Sequence, residues 1–264
     1  MVQGGGNPLM GTSSSSSGPG SNSPLVPPWA DSEPDAPCPE PEEQRFREFR
    51  FHLGKFVSGG GSDGERLQRA MGNYARKATG GGATASRRFG AMASAGGMLF
   101  DAMAALRDGQ DPNLPGVDLG TLEGRPTQVA IDLLVNALVP PNGDADRIRV
   151  ALNDALSEAL EGQANFDFNQ ITDEIIAEMM IAYLTQCLYE QVVLDSDEAF
   201  TKATDPSQYD RAEKAMMGLI RAAADKHMAP LLTGNVRTFN GRMVREVQLR
   251  AIRDIWAEWE AYEK

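Results

Sequence analysis

The residues of this sequence best suited to chemistry are two histidines, two cysteines, two glycine triplets and two short acidic clusters. His52 and His227 lie far apart, and neither has the Cys, His or carboxylate spacing that builds a zinc site. Asp195-Ser196-Asp197-Glu198 and Asn142-Gly143-Asp144-Ala145-Asp146 resemble pieces of a calcium loop. Both lack the central glycine and the closing bidentate glutamate, so they read as solvated helix ends. The triplets open two similar units, SGGGSDGERLQRAMGNYA from Ser58 and TGGGATASRRFGAMASAG from Thr79. A helix start after glycines invites a phosphate. Neither unit carries a Walker pattern or follows a strand, and both read as connectors. There is no nucleophile elbow and no kinase signature. The residues therefore give no metal, no cofactor and no catalytic group, although folding can still assemble a carboxylate pair from so acidic a chain.

Cys38 and Cys187 are too few and too differently placed for a disulfide framework, which fits a reducing, cytoplasmic setting. Cys187 falls in an apolar run and is expected to be a buried, inert thiol. His227 is expected near the negative end of a helix dipole.

The stretch 10–29, MGTSSSSSGPGSNSPLVPPW, is dominated by Ser, Gly and Pro. Leu25, Val26 and Trp29 are too few apolar groups to repay the entropy of ordering it. An acidic, proline-rich linker follows, so residues 1–41 are expected to form a disordered N-terminal arm and linker, and 42–264 a helical domain. No signal peptide and no membrane-length apolar run is present, and the short myristoylation pattern after Met10 is internal. Residues 1–9 read as an upstream start or a piece removed by processing. Cleavage after Met10 would leave Gly11 with a free α-amine of pKa about 8, a competent nucleophile for conjugation.

The formal charge of −12 argues against a protein that coats nucleic acid indiscriminately. No Lys or Arg precedes Arg45, yet residues 45–88 carry ten basic residues against three acidic ones. Arg66, Arg69, Arg76, Lys77, Arg87 and Arg88 are candidates for a patch that meets an acidic partner, a nucleic acid, or the chain's own acidic half.

Helical periodicity runs through the remainder and predicts an all-α body of about seven to eight helices. The first starts near Glu42, with Phe46, Phe49, Leu53, Phe56 and Val57 inward. Residues 110–122 form a Pro/Gly connector. A helix opening at Pro126 shows the stripe Val129, Leu133, Leu134, Ala137 and Leu138. Ile148, Leu152, Leu156 and Leu160 line the next, which Gly162 closes. Thr172 caps the most hydrophobic run, from Ile175 to Val192, the expected centre of the core. Asp205-Pro206-Ser207-Gln208 starts a helix with Tyr209, Ala212, Met216 and Ile220 inward, ended by Pro230. The last helix, from about Gly241 to Glu263, buries Val244, Ala251, Ile255 and Trp259. Leu249 and Trp256 project toward its arginines and are further candidates for a partner contact.

The runs MGTSSSSSGPGSNSPLVPPWA and FRFHLGKFVSGGGSDGERLQRAMGNYARKATGGGATASRRFGAMASAGGMLF resemble the QatB family of the bacterial Qat anti-phage defence system. The likeness is strongest over 10–100. It implies a non-catalytic helical component whose partners are a P-loop ATPase (QatA), a QueC-like enzyme (QatC) and a TatD-like nuclease (QatD). QueC-like enzymes activate a deazapurine carboxylate with ATP. The resemblance thus implies that Gly11, freed by processing at Met10, is the acceptor of that acyl group, with the helical body as scaffold. Two alternatives stay open: a plain scaffold bridging the ATPase and nuclease with an incidental tail, and a nucleic-acid adaptor using the basic segment from Arg66 to Arg88.

Overall fold

The computed structural model describes residue 20 and residues 22–263. Met10 and Gly11 lie outside the described residues. The core is built around α8 (Asp173–Ser196), whose start is fixed by Thr172 Oγ1 accepting from the Ile175 amide at 3.3 Å and by an acidic first turn on the positive end of the dipole. Apolar residues cover so much of its circumference that only a central position hides them: Met179, Met180, Tyr183, Leu184, Cys187, Leu188 and Val192 are all buried. α7 (Ala145–Ala159), α9 (Pro206–Leu232) and α4 (Gly90–Arg107) pack around it. α10 (Gly241–Glu260) lies across α4 and α3 (Gly81–Arg88), while α1 (Arg47–Ser58) and α2 (Gly64–Asn73) pair at one end and α6 (Thr127–Leu138) covers α7.

Among the described residues there are ten α-helices and no strand. The count exceeds the expected seven to eight because α3 and α4 meet at a 56° bend and because the 110–122 connector holds the one-turn α5 (Leu119–Leu122). The connector role of the glycine triplets is visible in Gly60, Gly61, Gly80 and Gly81, all at positive φ. No single described helix is long and apolar enough to cross a membrane.

Several local expectations are corrected. α1 begins at Arg47 rather than near Glu42, because Gln44 takes a left-handed turn (φ 53°) ahead of it. On α6 the buried face is Ala130, Ile131, Leu134, Val135 and Leu138, which turns Val129 outward. Tyr209 is exposed, and α9 runs through Pro230 to end at Leu232. The chain from Asn22 on is also less free than its composition suggests. Leu25, Val26 and Ala30 are buried, so residues 22–37 form a strap lying on the body.

α4 and α10 approach at Gly97 and Gly241, where the Gly241 amide donates to Asp101 Oδ1 at 2.6 Å. A Cβ on Gly97 would stand 2.4 Å from the Gly241 carbonyl oxygen, a backbone atom that cannot swing aside. Gly97→Ala is therefore expected to destabilise the fold by about 1–3 kcal/mol through overpacking. That outweighs the roughly 1 kcal/mol gain in helix propensity, and a lowered midpoint in urea unfolding checks it.

Candidate functional site

Where the strap crosses the body it roofs a cavity of about 420 Å³. Ser23, Pro24, Leu25, Pro27, Pro28 and Trp29 of the strap form one wall. The floor carries Arg45, Tyr74, Arg88, Arg147, Gln191 and Asp195 with the rings of Phe46 and Phe89. Local devices deliver Tyr74 and Asp195 to this floor, and Asp144 to the arginines that line it. Asp144 closes the α6–α7 loop, its amide donating to Asn142 Oδ1 at 2.8 Å. Tyr74 opens a π-helical turn (Tyr74–Ala78) that ends α2, and Asp195 sits in the last turn of α8.

These groups form one chain of hydrogen bonds. Arg88 donates to Asp144 through Nη1 at 2.9 Å and Nη2 at 3.1 Å, and Arg147 donates to the same carboxylate. Arg88 Nη2 also donates to Gln191 Oε1 at 2.9 Å. Gln191 Nε2 in turn donates to Asp195 Oδ2 at 3.0 Å, which the Tyr74 hydroxyl reaches at 2.7 Å. The two acids respond in opposite ways. Burial pushes the Asp144 carboxyl up, but Arg88 and Arg147 outweigh it and hold the group below the usual carboxylate range. Burial also pushes Asp195 up, and there the neutral donors Gln191 and Tyr74 do not offset it. Tyr74 is pushed well up by burial and then by Asp195, so the phenol keeps its proton.

The expectation that both acidic clusters are solvated helix ends is thus overturned for Asp144 and Asp195, which have 0% and 3% exposure. Two sequence signals pointed there. Asp195 follows Leu188 and Gln191 at core-facing helical spacing, and the cationic surplus of 45–88 demanded acidic partners elsewhere. Asp195 Oδ1, Arg45 Nε and Nη1, and Arg147 Nε are buried without hydrogen-bond partners among the described residues. As it stands, the arrangement fixes charges and protons in place. Cys187, which burial pushes up to about 12, does not line the cavity.

The candidate partner-binding residues separate into two groups. Arg87 and Arg88 are committed internally, to Asp31 and Asp144. Leu249 is buried, and Trp256 is fully buried with its indole N–H on Thr79 Oγ1 at 2.7 Å. Arg69, Arg76 and Lys77 are exposed, Arg66 is half-buried and pairs with Asp63, and Arg76 donates to the Glu260 carbonyl. His227 meets Glu258 at 2.9 Å. Among the described residues no three His, Cys, Asp or Glu side chains are grouped to hold a metal ion.

A family model described as QatB, Qat anti-phage system associated protein QatB, matches residues 80–258. No curated protein and no solved structure matches the chain.

Asp144→Asn is expected to cost about 2–4 kcal/mol, because it leaves two largely but not fully buried guanidinium groups without a counter-charge. The wild-type contribution of Asp144 is present above its unfolded pKa of about 3.9 and lost as pH falls through its lower folded value. Asp195 has the reverse sign: its contribution is full below about pH 3.9 and lost as pH rises through its higher folded value. Asp195→Asn should therefore abolish that loss, and denaturant midpoints of wild type and the two variants measured from about pH 2 to 7 would read the opposed slopes as differences from wild type.

Proposed function

The chain belongs to the QatB family of Qat anti-phage system associated proteins, and from that premise we propose that it serves the system as a non-catalytic helical scaffold and as the substrate of N-terminal processing and conjugation. In this reading a QueC-like enzyme (QatC) activates a deazapurine carboxylate with ATP: a carboxylate oxygen attacks the α-phosphate, pyrophosphate leaves, and an acyl adenylate forms. The α-amine of Gly11, freed by cleavage after Met10, attacks the acyl adenylate. An amide forms, AMP leaves, and the amine gives up its proton. A P-loop ATPase (QatA) and a TatD-like nuclease (QatD) are the further partners, docked by the body.

The observation that carries the reading is the division of labour in the chain. Most of the polar side chains beneath the strap are linked to one another, in the run from Arg147 through Asp144, Arg88, Gln191 and Asp195 to Tyr74. The leader meanwhile holds a serine- and glycine-rich stretch with a potential α-amine at Gly11. The nucleic-acid alternative is less favoured, since Arg87 and Arg88 of its cationic segment are bound within the chain.

Deleting residues 11–20 in the complete system tests this. The expected result is lost phage protection with the melting temperature of the body unchanged. Full protection by the deleted chain would overturn the substrate role and leave the scaffold alone.

A further inference from the structure

Beside the hydrogen-bonded run beneath the strap stands one cation that does not join it. Arg45 is 5% exposed and lines the cavity of about 420 Å³. Its Cζ lies 4.7 Å from the centre of the Phe46 ring, and Arg50 Cζ lies at the same distance from that ring. The two guanidinium groups differ in what else they hold. Arg50 donates to the Asp195 carbonyl at 2.8 Å and pairs with Asp197 at 3.3 Å. Arg45 Nε and Nη1 are buried with no hydrogen-bond partner among the described residues. Burial pulls the Arg45 pKa down, and the field of Asp195, which acts against that, does not offset it.

The acids nearby are engaged elsewhere. Asp144 holds Arg88 and Arg147, Asp197 holds Arg50, and Asp195 Oδ2 accepts from Gln191 and Tyr74. Asp195 Oδ1 is itself buried without a partner among the described residues, so it gives Arg45 no hydrogen bond. A buried cation whose donors are unmet is costly. Water can meet the donors but brings no counter-charge. The walls complete the description: Leu25, Trp29, Phe46 and Phe89 line the same cavity. Apolar and aromatic walls with a few polar groups are the makeup of a small-molecule site.

We propose that the cavity under the strap binds a small organic monocarboxylate, with its carboxylate on Arg45 and its apolar or aromatic body among Leu25, Trp29, Phe46 and Phe89. One guanidinium without a hydrogen-bonded counter-charge matches one negative charge, in the planar geometry that arginine recognises. A phosphate monoester, close to a dianion at neutral pH, needs a second cation. Arg88 and Arg147 are held by Asp144 and do not supply it. This site is independent of any conjugation at the leader.

The test titrates the purified, ¹⁵N-labelled full chain with benzoate, indole-3-acetate and octanoate, each paired with its primary amide, and with inorganic phosphate. Calorimetry gives affinity, and the Arg45 Nε–H resonance reports contact. The carboxylates are expected to saturate one site, to move that resonance, and to bind about tenfold more tightly than their amides. Arg45→Met, close in length and uncharged, should remove that preference while melting no lower than wild type, since it relieves an unmatched buried charge. Trp29→Ala, a change at a half-exposed residue of the strap, should weaken acids and amides alike. Carboxylates that leave the Arg45 resonance unmoved, or that bind no better than their amides, overturn the proposal. So does carboxylate binding that survives Arg45→Met or is indifferent to Trp29→Ala. Preference for phosphate over every carboxylate overturns the ligand class. A wild type that binds none of them, with Arg45→Met melting lower, makes Arg45 a structural cation only.

Discussion

A buried carboxylate held between two arginines sets the terms for the rest of this structure. Asp144 has no exposed surface, and an isolated charge there would be intolerable. It persists ionised because Arg88 from the α3–α4 bend and Arg147 from the first turn of α7 converge on it. That convergence ties the Gly-rich basic half of the sequence to the acidic half. Through Gln191 it extends to the end of α8 and the turn that carries Tyr74. Gly143, the residue before Asp144, is the notch that takes Trp29, so the same loop that seats the ion pair also seats the strap.

The consequence is a body whose polar side chains beneath the strap form one linked set. Its buried acids Asp144 and Asp195 are hydrogen-bonded within the body, and its buried thiol is kept protonated by burial. The strap lies over the floor that holds those groups, with Arg87 fastening it as Arg88, the next residue, fastens the loop beneath. Two adjacent arginines thus face two different partners, one in the leader and one in the core. A cationic segment that looked like a surface for an external anion proves largely internal at its C-terminal end.

Fold class was legible because the apolar spacing of α1, α7 and α10 is regular, because α8 is apolar almost all round, and because Thr172 and Asp205 announce their helices by capping. The site was not, for a physical reason. Asp31 with Arg87 and Arg88 with Asp144 each join residues 56 positions apart, and no local pattern specifies such a pair. The strap was hidden by its own composition. Serine and proline richness argued correctly that it has no core of its own, but three small or medium apolar anchors and one bidentate ion pair suffice when the body provides the groove. Trp256 illustrates the reverse error. Its position beside the α10 arginines suggested a flank, whereas α3 and the π-helical turn close over it, with Phe89, Tyr74 and Trp259 around the ring.

The central claim, that this QatB-family chain enters the defence system as a substrate carried on a helical scaffold, is tested most directly at its first residue. A tandem mass spectrum of the N-terminal peptide, taken from the assembled and phage-protective system, should begin at Gly11 and carry the deazapurine acyl group on its α-amine. An unmodified N-terminal peptide from that same protective system would contradict the account.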